Sequence, residues 1–351
     1  MKGAFVLTTI FSPIAQKNYL ASNRLVRSAT GEGLADAQGF PTPQLIALYE
    51  DLARGGVGTI IVSATMVLSV DDEPSDGFLQ LISPNAPAAF APLAQAIHKH
   101  GATAWIQIML EGFERKIDTE KDTVPCKIDA MTEKEIEFVI AQFVQAATYA
   151  HQAGFDGVQL HGAHGFFLSQ SISPKYNHRT DIYGQNPTEI IERIYHGIRQ
   201  ATTPSFHIGI KINCQDFIKG GLTEEQCVDR CIRLSQVGMD SIEISGNDTS
   251  RKGIVPYKNE AYFKTVAIEL KKHITTPVTL VGGLRSIETM NDLMQTYGID
   301  AFALSRPLIR EPHLINRWQA GDIAPSKCIS CNQCYSNLSR GCIFNPYDQY
   351  Q

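Results

Sequence analysis

Several features that mark particular protein classes are missing from this sequence of 351 residues. No apolar run reaches the roughly 18–20 residues that a membrane-spanning helix requires. Basic residues are not in excess, because 31 lysines and arginines stand against 36 aspartates and glutamates, for a net charge of −5. A polyanion is bound through a basic surface, so we expect neither a nucleic acid nor a membrane as a partner.

The marks of a secreted protein are also weak. The apolar stretch Ala4–Phe11 is short, ends at Pro13 and is followed by no convincing cleavage site, so we expect no signal peptide. Of the eight cysteines, four are dispersed along the chain and four crowd together near the C-terminus. This is not a disulfide framework, and we expect a protein of the reducing cytoplasm.

Eight short β-branched segments alternate with longer segments of helical period. Most of the eight are apolar without alternation, as expected for parallel strands covered on both faces. The predicted strands are Leu25–Ala29, Thr59–Ala64, Ala104–Met109, Gly157–His161, Ile208–Asn213, Ser241–Ser245, Val278–Gly282 and Ala301–Ser305. Eight strand–helix units in one chain favour a closed barrel over a doubly wound sheet.

The segments between these strands carry helix signals. Apolar residues form one stripe along Glu133–Gln152, and Thr223-Glu-Glu-Gln226 predicts a capping box. Gly-x-Asp turns at Gly154, Gly238 and Gly298 are typical of helix C-caps that return the chain to a barrel floor. We predict an α/β fold, with a single (β/α)8 TIM barrel over residues 1–320 and a short cysteine-bearing C-terminal tail over residues 321–351.

In such barrels the chemistry lies at the carboxyl ends of the strands. The fourth strand ends in His161-Gly-Ala-His164. Two histidines at this spacing could donate two hydrogen bonds to a single oxygen, could bind a metal, or could simply pack. No aspartate or glutamate stands beside the pair to complete a metal site, but the spacing alone leaves all three interpretations open.

Two turns predict a phosphate site. Gly282-Gly283-Leu284-Arg285 follows the seventh strand, and Ser305-Arg306-Pro307 follows the eighth. Barrels commonly hold phosphate between these loops, because glycine lets backbone N–H groups approach an anion; the alternative for the glycines is a tight turn. Gln107 and Lys211 also point to the interior, and a lysine in an apolar strand needs an anionic partner.

Five motifs resemble those of the Old Yellow Enzyme family, in the same order along the chain from about Asn23 to Arg317. They are Asn23-Arg-Leu-Val-Arg-Ser-Ala-Thr30, Glu50-Asp-Leu-Ala-Arg-Gly-Gly-Val-Gly58, the block from His161 to Gly184, Gly282-Gly283 and Ser305-Arg306. The barrel also resembles that of 2,4-dienoyl-CoA reductase. The resemblance implies FMN as cofactor, NAD(P)H as reductant and a small molecule as substrate.

The resemblance also implies roles for individual residues. His161 and His164 match the pair that binds the carbonyl oxygen of the substrate. The positions assigned to FMN are Ser28, Ala29, Thr30 and Gly31 along the isoalloxazine edge, Ala64 beside it, Gln107 at the pyrimidine side, Lys211 near N1 and the C2 carbonyl, and Gly283, Ser305 and Arg306 at the phosphate.

The chain departs from the family pattern at three positions. Phe166 stands where the family usually has a proton-donating tyrosine, Lys211 where many members have arginine, and Gln185 where a second glycine is common. Without that tyrosine, water supplies the proton, another side chain does, or alkene reduction is not the physiological reaction. Tyr257, after the sixth strand, is one candidate donor; the alternative is that it is a surface loop residue.

The tail carries Cys328, Cys331, Cys334 and Cys342 within fifteen residues. Dienoyl-CoA-reductase-like enzymes bind a [4Fe–4S] cluster just after the barrel, although two of the spacings in this chain are shorter. Four thiolates suit an iron–sulfur cluster or structural zinc, and an unoccupied tail is the third interpretation. We expect no flavin or nicotinamide domain after the tail, and we therefore expect a cluster to need an external electron partner.

The resemblance predicts an FMN-dependent oxidoreductase that passes a hydride from NAD(P)H to an activated, α,β-unsaturated carbonyl acceptor. One alternative is a flavin and iron–sulfur electron-transfer protein without such turnover. Another is an enzyme like tRNA-dihydrouridine synthase, which the acidic balance argues against. The sequence is compatible with a homo-oligomer and does not fix the oligomeric state.

Overall fold

The computed structural model describes residues 8–68, 77–116 and 123–351. The first residues of the apolar stretch Ala4–Phe11 therefore lie outside the described part of the chain. Within these three ranges, no helix is both long enough and apolar enough to cross a membrane.

Eight parallel strands close into a barrel. β1 pairs with both β2 and β8, which completes the ring. The strands are β1 (Leu25–Arg27), β2 (Thr59–Met66), β3 (Thr103–Met109), β4 (Gly157–Gly162), β5 (His207–Asn213), β6 (Ser241–Ser245), β7 (Val278–Val281) and β8 (Ala301–Leu304). All eight predicted strands are confirmed, with ends that differ by one or two residues, and so is the barrel itself.

Eight helices follow the strands in turn. They are α1 (Pro43–Arg54), α2 (Ala86–His98), α3 (Glu133–Gln152), α4 (Glu189–Ala201), α5 (Glu224–Val237), α6 (Lys264–Lys271), α7 (Ile287–Tyr297) and α8 (Leu314–Gln319). The predicted apolar stripe of α3 is buried along its whole length. The predicted capping box at Thr223 and Gln226 is formed at the start of α5, so both helix predictions are confirmed.

The remaining short elements lie in loops and at the chain ends. Helical turns span Ile128–Ala130, Phe167–Ile172, Ile182–Gln185, Arg306–Arg310, Gln333–Ser336, Leu338–Arg340 and Tyr347–Tyr350. Short strands span Ile14–Gln16, Tyr19–Ala21, Leu79–Gln80, Phe113–Lys116, Thr123–Cys126, Gly341–Cys342 and Asn345–Pro346. All but the Leu79–Gln80 strand, which extends the sheet beside β2, pair as small antiparallel hairpins.

The hairpin of Ile14–Gln16 and Tyr19–Ala21 closes the amino-terminal end of the barrel, which we call the floor. Its side chains pack with Val26, Ile61 and Trp105 in a cluster separate from the main core. Trp105 stacks on His207, the first residue of β5, with ring centroids 3.8 Å apart. Because this end is packed with side chains, any open site must lie at the other end.

The predicted Gly-x-Asp turns repeat one hydrogen-bonding device around the floor. The three glycines have positive φ, which lets the chain reverse after α3, α5 and α7. The aspartate that follows each one accepts a strand N–H at 2.8 Å; the three donors are Ala104, Ile208 and Val278. The repeat satisfies strand N–H groups that would otherwise have no partner.

The tail folds back over the barrel. Tyr347 is buried, and its carbonyl accepts a hydrogen bond from Gln44 on α1 at 2.9 Å. The Tyr350 hydroxyl donates to Asp51, also on α1, at 2.8 Å. Since α1 follows β1 and the tail follows β8, these contacts tie the first and last units of the barrel together.

Candidate active site

A cavity of about 890 Å³ opens at the carboxyl ends of the strands, which we call the mouth. Every residue that the resemblance assigned to FMN or to the substrate lines it. These residues are Ser28, Ala29, Thr30, Gly31, Ala64, Gln107, His161, His164, Lys211, Gly283, Ser305 and Arg306. The strands thus bring together side chains that are far apart in sequence, and the cavity is large enough for a small-molecule cofactor.

His161 and His164 stand next to each other in the wall of the cavity. Their ring centroids are 4.9 Å apart and their planes are nearly perpendicular. Among the residues the structure describes, the buried Nδ1 of His161 has no hydrogen-bond partner. A buried polar atom of this kind is costly, but its burial keeps it out of reach of the cavity. The other ring nitrogen, Nε2, is the one through which His161 can reach a ligand in the cavity.

His164 is held from two sides. Its Nε2 lies 2.9 Å from the Ser245 hydroxyl at the end of β6. Its backbone N–H donates to the Asn213 side chain at 3.0 Å, which supports a backbone with φ of 65°. The contact with Ser245 orients the ring before any ligand arrives, and the Asn213 bond holds the backbone that carries it.

Both mouth histidines favour the neutral form. Burial lowers the pKa of His161 well below its usual value, and the charges of His164 and Lys211 add to the effect. Burial and Lys211 lower the pKa of His164 to about 3. At neutral pH each ring therefore carries one N–H, which can donate a hydrogen bond to an oxygen in the cavity.

Lys211 has the anionic partner that its position requires. Its Nζ lies 3.1 Å from Glu243 Oε1 on β6 and donates to the Ser28 hydroxyl at 2.9 Å. Both charged residues are almost completely buried, at 3% and 2% exposure. A buried ion pair with further hydrogen bonds avoids the cost of either charge alone.

The predicted phosphate end of the cavity is built from the loops after β7 and β8. Gly282 and Gly283 have φ of 118° and 75°, and a Cβ on either would lie within 3 Å of an aromatic ring of Phe263 or Tyr262. Only glycine fits such positions, so backbone N–H groups can approach a ligand there. Arg306 is anchored through Nη1, which donates to the carbonyl of Arg251 and to Asn332.

Phe166 and Tyr257, the two aromatic residues discussed above in connection with the proton donor, lie in different surroundings. Phe166 lines the cavity, with its ring 4.9 Å from that of His161, so the position expected for a proton donor is apolar. Tyr257 does not line the cavity and is 59% exposed. The suggestion that Tyr257 donates the proton is therefore wrong, because its loop carries the side chain outward to solvent.

Glu243 and Ser245 also contribute to the site, although neither was among the residues predicted from the sequence. Both lie on β6, where Ser241-Ile-Glu-Ile-Ser245 alternates polar and apolar residues. Such alternation places Ser241, Glu243 and Ser245 on one face of the strand, toward the barrel interior. Ser241 contacts His207 at the floor, Glu243 contacts Lys211 and Ser245 contacts His164 at the mouth. This alternation was the available signal.

The four tail cysteines surround a second, small cavity of about 20 Å³, which Arg306 and Arg310 also line. Cys334 lines this cavity and the large one. Within residues 8–68, 77–116 and 123–351, no group of three or more His, Cys, Asp or Glu side chains is placed to hold a metal ion. The space between the cysteines has room for about one water.

Comparisons with known proteins agree with this architecture. A model of the NADH:flavin oxidoreductase / NADH oxidase family matches residues 9–323. The chain is 30% identical over 369 residues to an NADH oxidase of Thermoanaerobacter brockii, covering 96% of the chain and 56% of that protein. It is 30% identical over 340 residues to an NADH-dependent flavin oxidoreductase of Aspergillus parasiticus, covering 86% and 76%.

The fold is similar to that of the Old Yellow Enzyme homologue from Zymomonas mobilis. The TM-score is 0.76 at 20% identity, and the match covers 97% of this chain and 99% of that one. At this identity the match supports the fold alone. The chain spans little more than half the length of the Thermoanaerobacter relative.

Proposed function

Because the chain belongs to the NADH:flavin oxidoreductase / NADH oxidase family, we propose that it binds FMN in the large cavity and that NAD(P)H reduces the bound FMN there. We further propose that it passes the hydride to a small activated acceptor of the α,β-unsaturated carbonyl class. Bound FMN would supply the hydride-accepting and hydride-donating chemistry.

The residues of the cavity fit such a cofactor. Lys211 presents a fixed positive charge in a site that is shielded from water, and a fixed cation stabilises the negative charge of a reduced flavin. The glycine turn after β7 and Arg306 after β8 suit a phosphate. Gln107 is buried and supplies an amide at the side opposite the phosphate loops.

The histidine pair suits the carbonyl oxygen of the acceptor. As hydride reaches the β-carbon of an enone, negative charge develops on that oxygen. Neutral N–H donors that are already in place stabilise this charge without reorganising. Phe166 holds no proton to give, so the proton that completes the reduction must come from water or from another group.

One observation carries the proposal: His161, His164, Lys211 and the phosphate loops line a single cavity. An acceptor oxygen in that cavity can accept hydrogen bonds from the two neutral imidazoles, while a cofactor lies against Lys211 and the phosphate loops.

A two-step anaerobic experiment tests the proposal. The flavin-loaded protein is first titrated with NADH or NADPH, and bleaching of the flavin absorbance is expected. Excess nicotinamide is removed and cyclohexenone is added, after which the absorbance should return. Because one cavity serves both reactants, steady-state kinetics should be ping-pong. Reduction by nicotinamide without reoxidation by the enone would favour an electron-transfer protein.

For the tail, we propose that the four cysteines bind an iron–sulfur cluster. Four thiols around one space match the ligand number, and Arg306 and Arg310 offset the negative charge of thiolates. A four-iron cluster separates its ligands more widely than a single ion does, so the cavity must widen on loading. Anaerobically prepared protein should contain iron and acid-labile sulfide; zinc, or no metal, would contradict the proposal.

A further inference from the structure

Glu243 lies at the centre of a buried hydrogen-bond network beneath the large cavity. Its Oε1 accepts from the Ser28 hydroxyl at 3.1 Å and pairs with Lys211 Nζ at the same distance. Its Oε2 accepts from the Gln159 amide nitrogen at 2.7 Å. Both carboxylate oxygens are therefore engaged by groups on three other parts of the barrel.

The network continues from Gln159 to the cavity. The amide nitrogen of Gln107 donates to Gln159 Oε1 at 2.7 Å. Gln107, Gln159 and Glu243 are each 2% exposed, so water does not compete for these bonds. The chain Gln107, Gln159, Glu243 thus connects a cavity-lining amide to a buried carboxylate.

The charge of Glu243 fixes the direction of every bond in this chain. An ionised carboxylate can only accept, so Gln159 must turn its NH₂ group toward Glu243 and its oxygen toward Gln107. Gln107 must then turn its NH₂ toward Gln159, which leaves its own oxygen free to accept. A neutral glutamine at position 243 could donate as well as accept, and both amides could turn around.

The same carboxylate limits the charge that Lys211 presents. An ammonium group has three N–H donors, and the protein uses two of them, toward Ser28 and Glu243. One donor remains for the cavity, but its positive charge is offset by a carboxylate 3.1 Å away. In a low-dielectric site such an offset acts strongly on any charge that develops nearby.

We propose that Glu243 is a positioning residue that sets both the electrostatics and the hydrogen-bond polarity of the cofactor pocket. Its carboxylate partly neutralises the positive charge of Lys211. Through Gln159, it also turns the side-chain oxygen of Gln107 toward the ligand. The pocket then offers a donor at Lys211 and an acceptor at Gln107. A flavin pyrimidine edge has the complementary pattern, with acceptors at N1 and the C2 carbonyl and a donor at N3. The cofactor part of this inference rests on the proposed function.

The reduction potential of the bound flavin tests the electrostatic part. In Glu243→Gln, Lys211 loses its counter-charge, so the reduced flavin should be favoured at least tenfold, which is a rise of about 30 mV. An unchanged potential would overturn the proposal.

Two further variants keep the test decisive. Glu111→Gln removes an exposed carboxylate that lines the same cavity, and solvent screening should leave the potential almost unchanged. Lys211→Met should lower the potential, and adding Glu243→Gln to it should raise the potential again. Equal potentials for Lys211→Met and the double variant would show that Glu243 does not act on the flavin. The potentials are measured against reference dyes, so they do not depend on nicotinamide turnover.

Thermal unfolding of the flavin-free protein tests the ion pair by itself. Each single variant leaves one buried charge unpaired and should lower the melting temperature. The double variant removes both charges and should lose less than the two single losses together. Additive losses would overturn the pairing. Failure to take up FMN would refute the proposed function, while this comparison would still decide whether Glu243 and Lys211 act as a pair.

Discussion

His207 and His161 lie on neighbouring strands at opposite ends of the barrel, and they are used differently. Both are buried, and burial lowers the pKa of both rings. At the floor, the two nitrogens of His207 meet the carbonyl of Asn18 and the hydroxyl of Ser241. At the mouth, His161 Nδ1 has no partner in the described part of the chain. Complete pairing in a packed region marks a structural histidine, whereas a ring that lines a cavity and is not fully paired marks one available to a ligand.

The cavity is essential to this distinction. Trp105 Nε1 at the floor is also buried without a partner in the described ranges. It lies in the packed cluster beneath the barrel, however, where no ligand can reach it. An unpaired polar atom therefore indicates binding only on a residue that also lines a cavity, as His161 does and Trp105 does not.

The largest expected effect comes from substituting His161 and His207 separately and comparing the rates at which the reduced flavin is reoxidised. His161→Ala should slow reoxidation of the reduced flavin by an enone about 10²–10³-fold, because one preformed donor to the developing oxyanion is lost. His207→Gln is the matched control and should reoxidise at the wild-type rate per folded molecule. Stopped-flow absorbance under anaerobic conditions measures both reoxidation rates. Equal rates for the two variants would show that the two histidines do not differ in function.

The free energy of unfolding should depend more strongly on His207 than on His161. His207→Ala removes a stacked ring and two hydrogen bonds from a packed region, which should cost about 2–4 kcal/mol in the free energy of unfolding. His161→Ala removes a nitrogen that was already unpaired and should cost less than about 1 kcal/mol. Denaturant unfolding of the flavin-free proteins measures both values. A larger loss for His161→Ala would assign it a structural role.

The pH dependence of stability should carry the signature of His207. Burial lowers the pKa of His207 to about 4, below the unfolded value of about 6.5. The unfolded state binds more protons in this window, so stability is present above pH 6.5 and is lost as the pH falls toward 4.

Between pH 7.5 and pH 5 this residue should account for about 2 kcal/mol. His207→Gln should lose about that much less stability over the same interval. His161 and His164 are present in both the wild type and His207→Gln, so their contribution to the pH dependence cancels when the two profiles are compared. Parallel pH profiles for wild type and variant would contradict the assignment.

The smallest expected effect concerns the mouth alone. Phe166→Tyr places a hydroxyl next to His161 and should speed enone reduction at least several-fold, and at most by the ~10²–10⁴ that general-acid catalysis typically contributes. Reduction of the flavin by nicotinamide needs no proton at this position and should be nearly unaffected. If the wild type is already fast and the variant no faster, the proton comes from elsewhere.

The strands and helices were predictable because they depend on local patterns. Runs of apolar residues marked most of the barrel strands, and the Gly-x-Asp turns marked three of the returns to the floor. The resemblance to the Old Yellow Enzyme family is confirmed, and it rested on motifs such as Asn23–Thr30 that lie at strand ends. A barrel brings strand ends together by topology, so the predicted residues meet in one cavity.

The partners of those residues were harder to predict. Pairing between Lys211 and Glu243 depends on the register of β5 against β6, which places them side by side. Sequence alone gives the need for an anion but not its position. Likewise, the outward direction of Tyr257 depends on the path of a loop, for which no periodic pattern exists.

The position of the tail has a consequence for the order of events during synthesis. Cys334, Tyr335 and Leu338 line the large cavity together with residues as early as Ser28. A ribosome-bound chain that has emerged only as far as α8 would present a cavity without that wall. On the proposed function, cofactor capture would wait until the segment that carries Cys334, Tyr335 and Leu338 has left the exit tunnel, after the barrel strands are already available to pair.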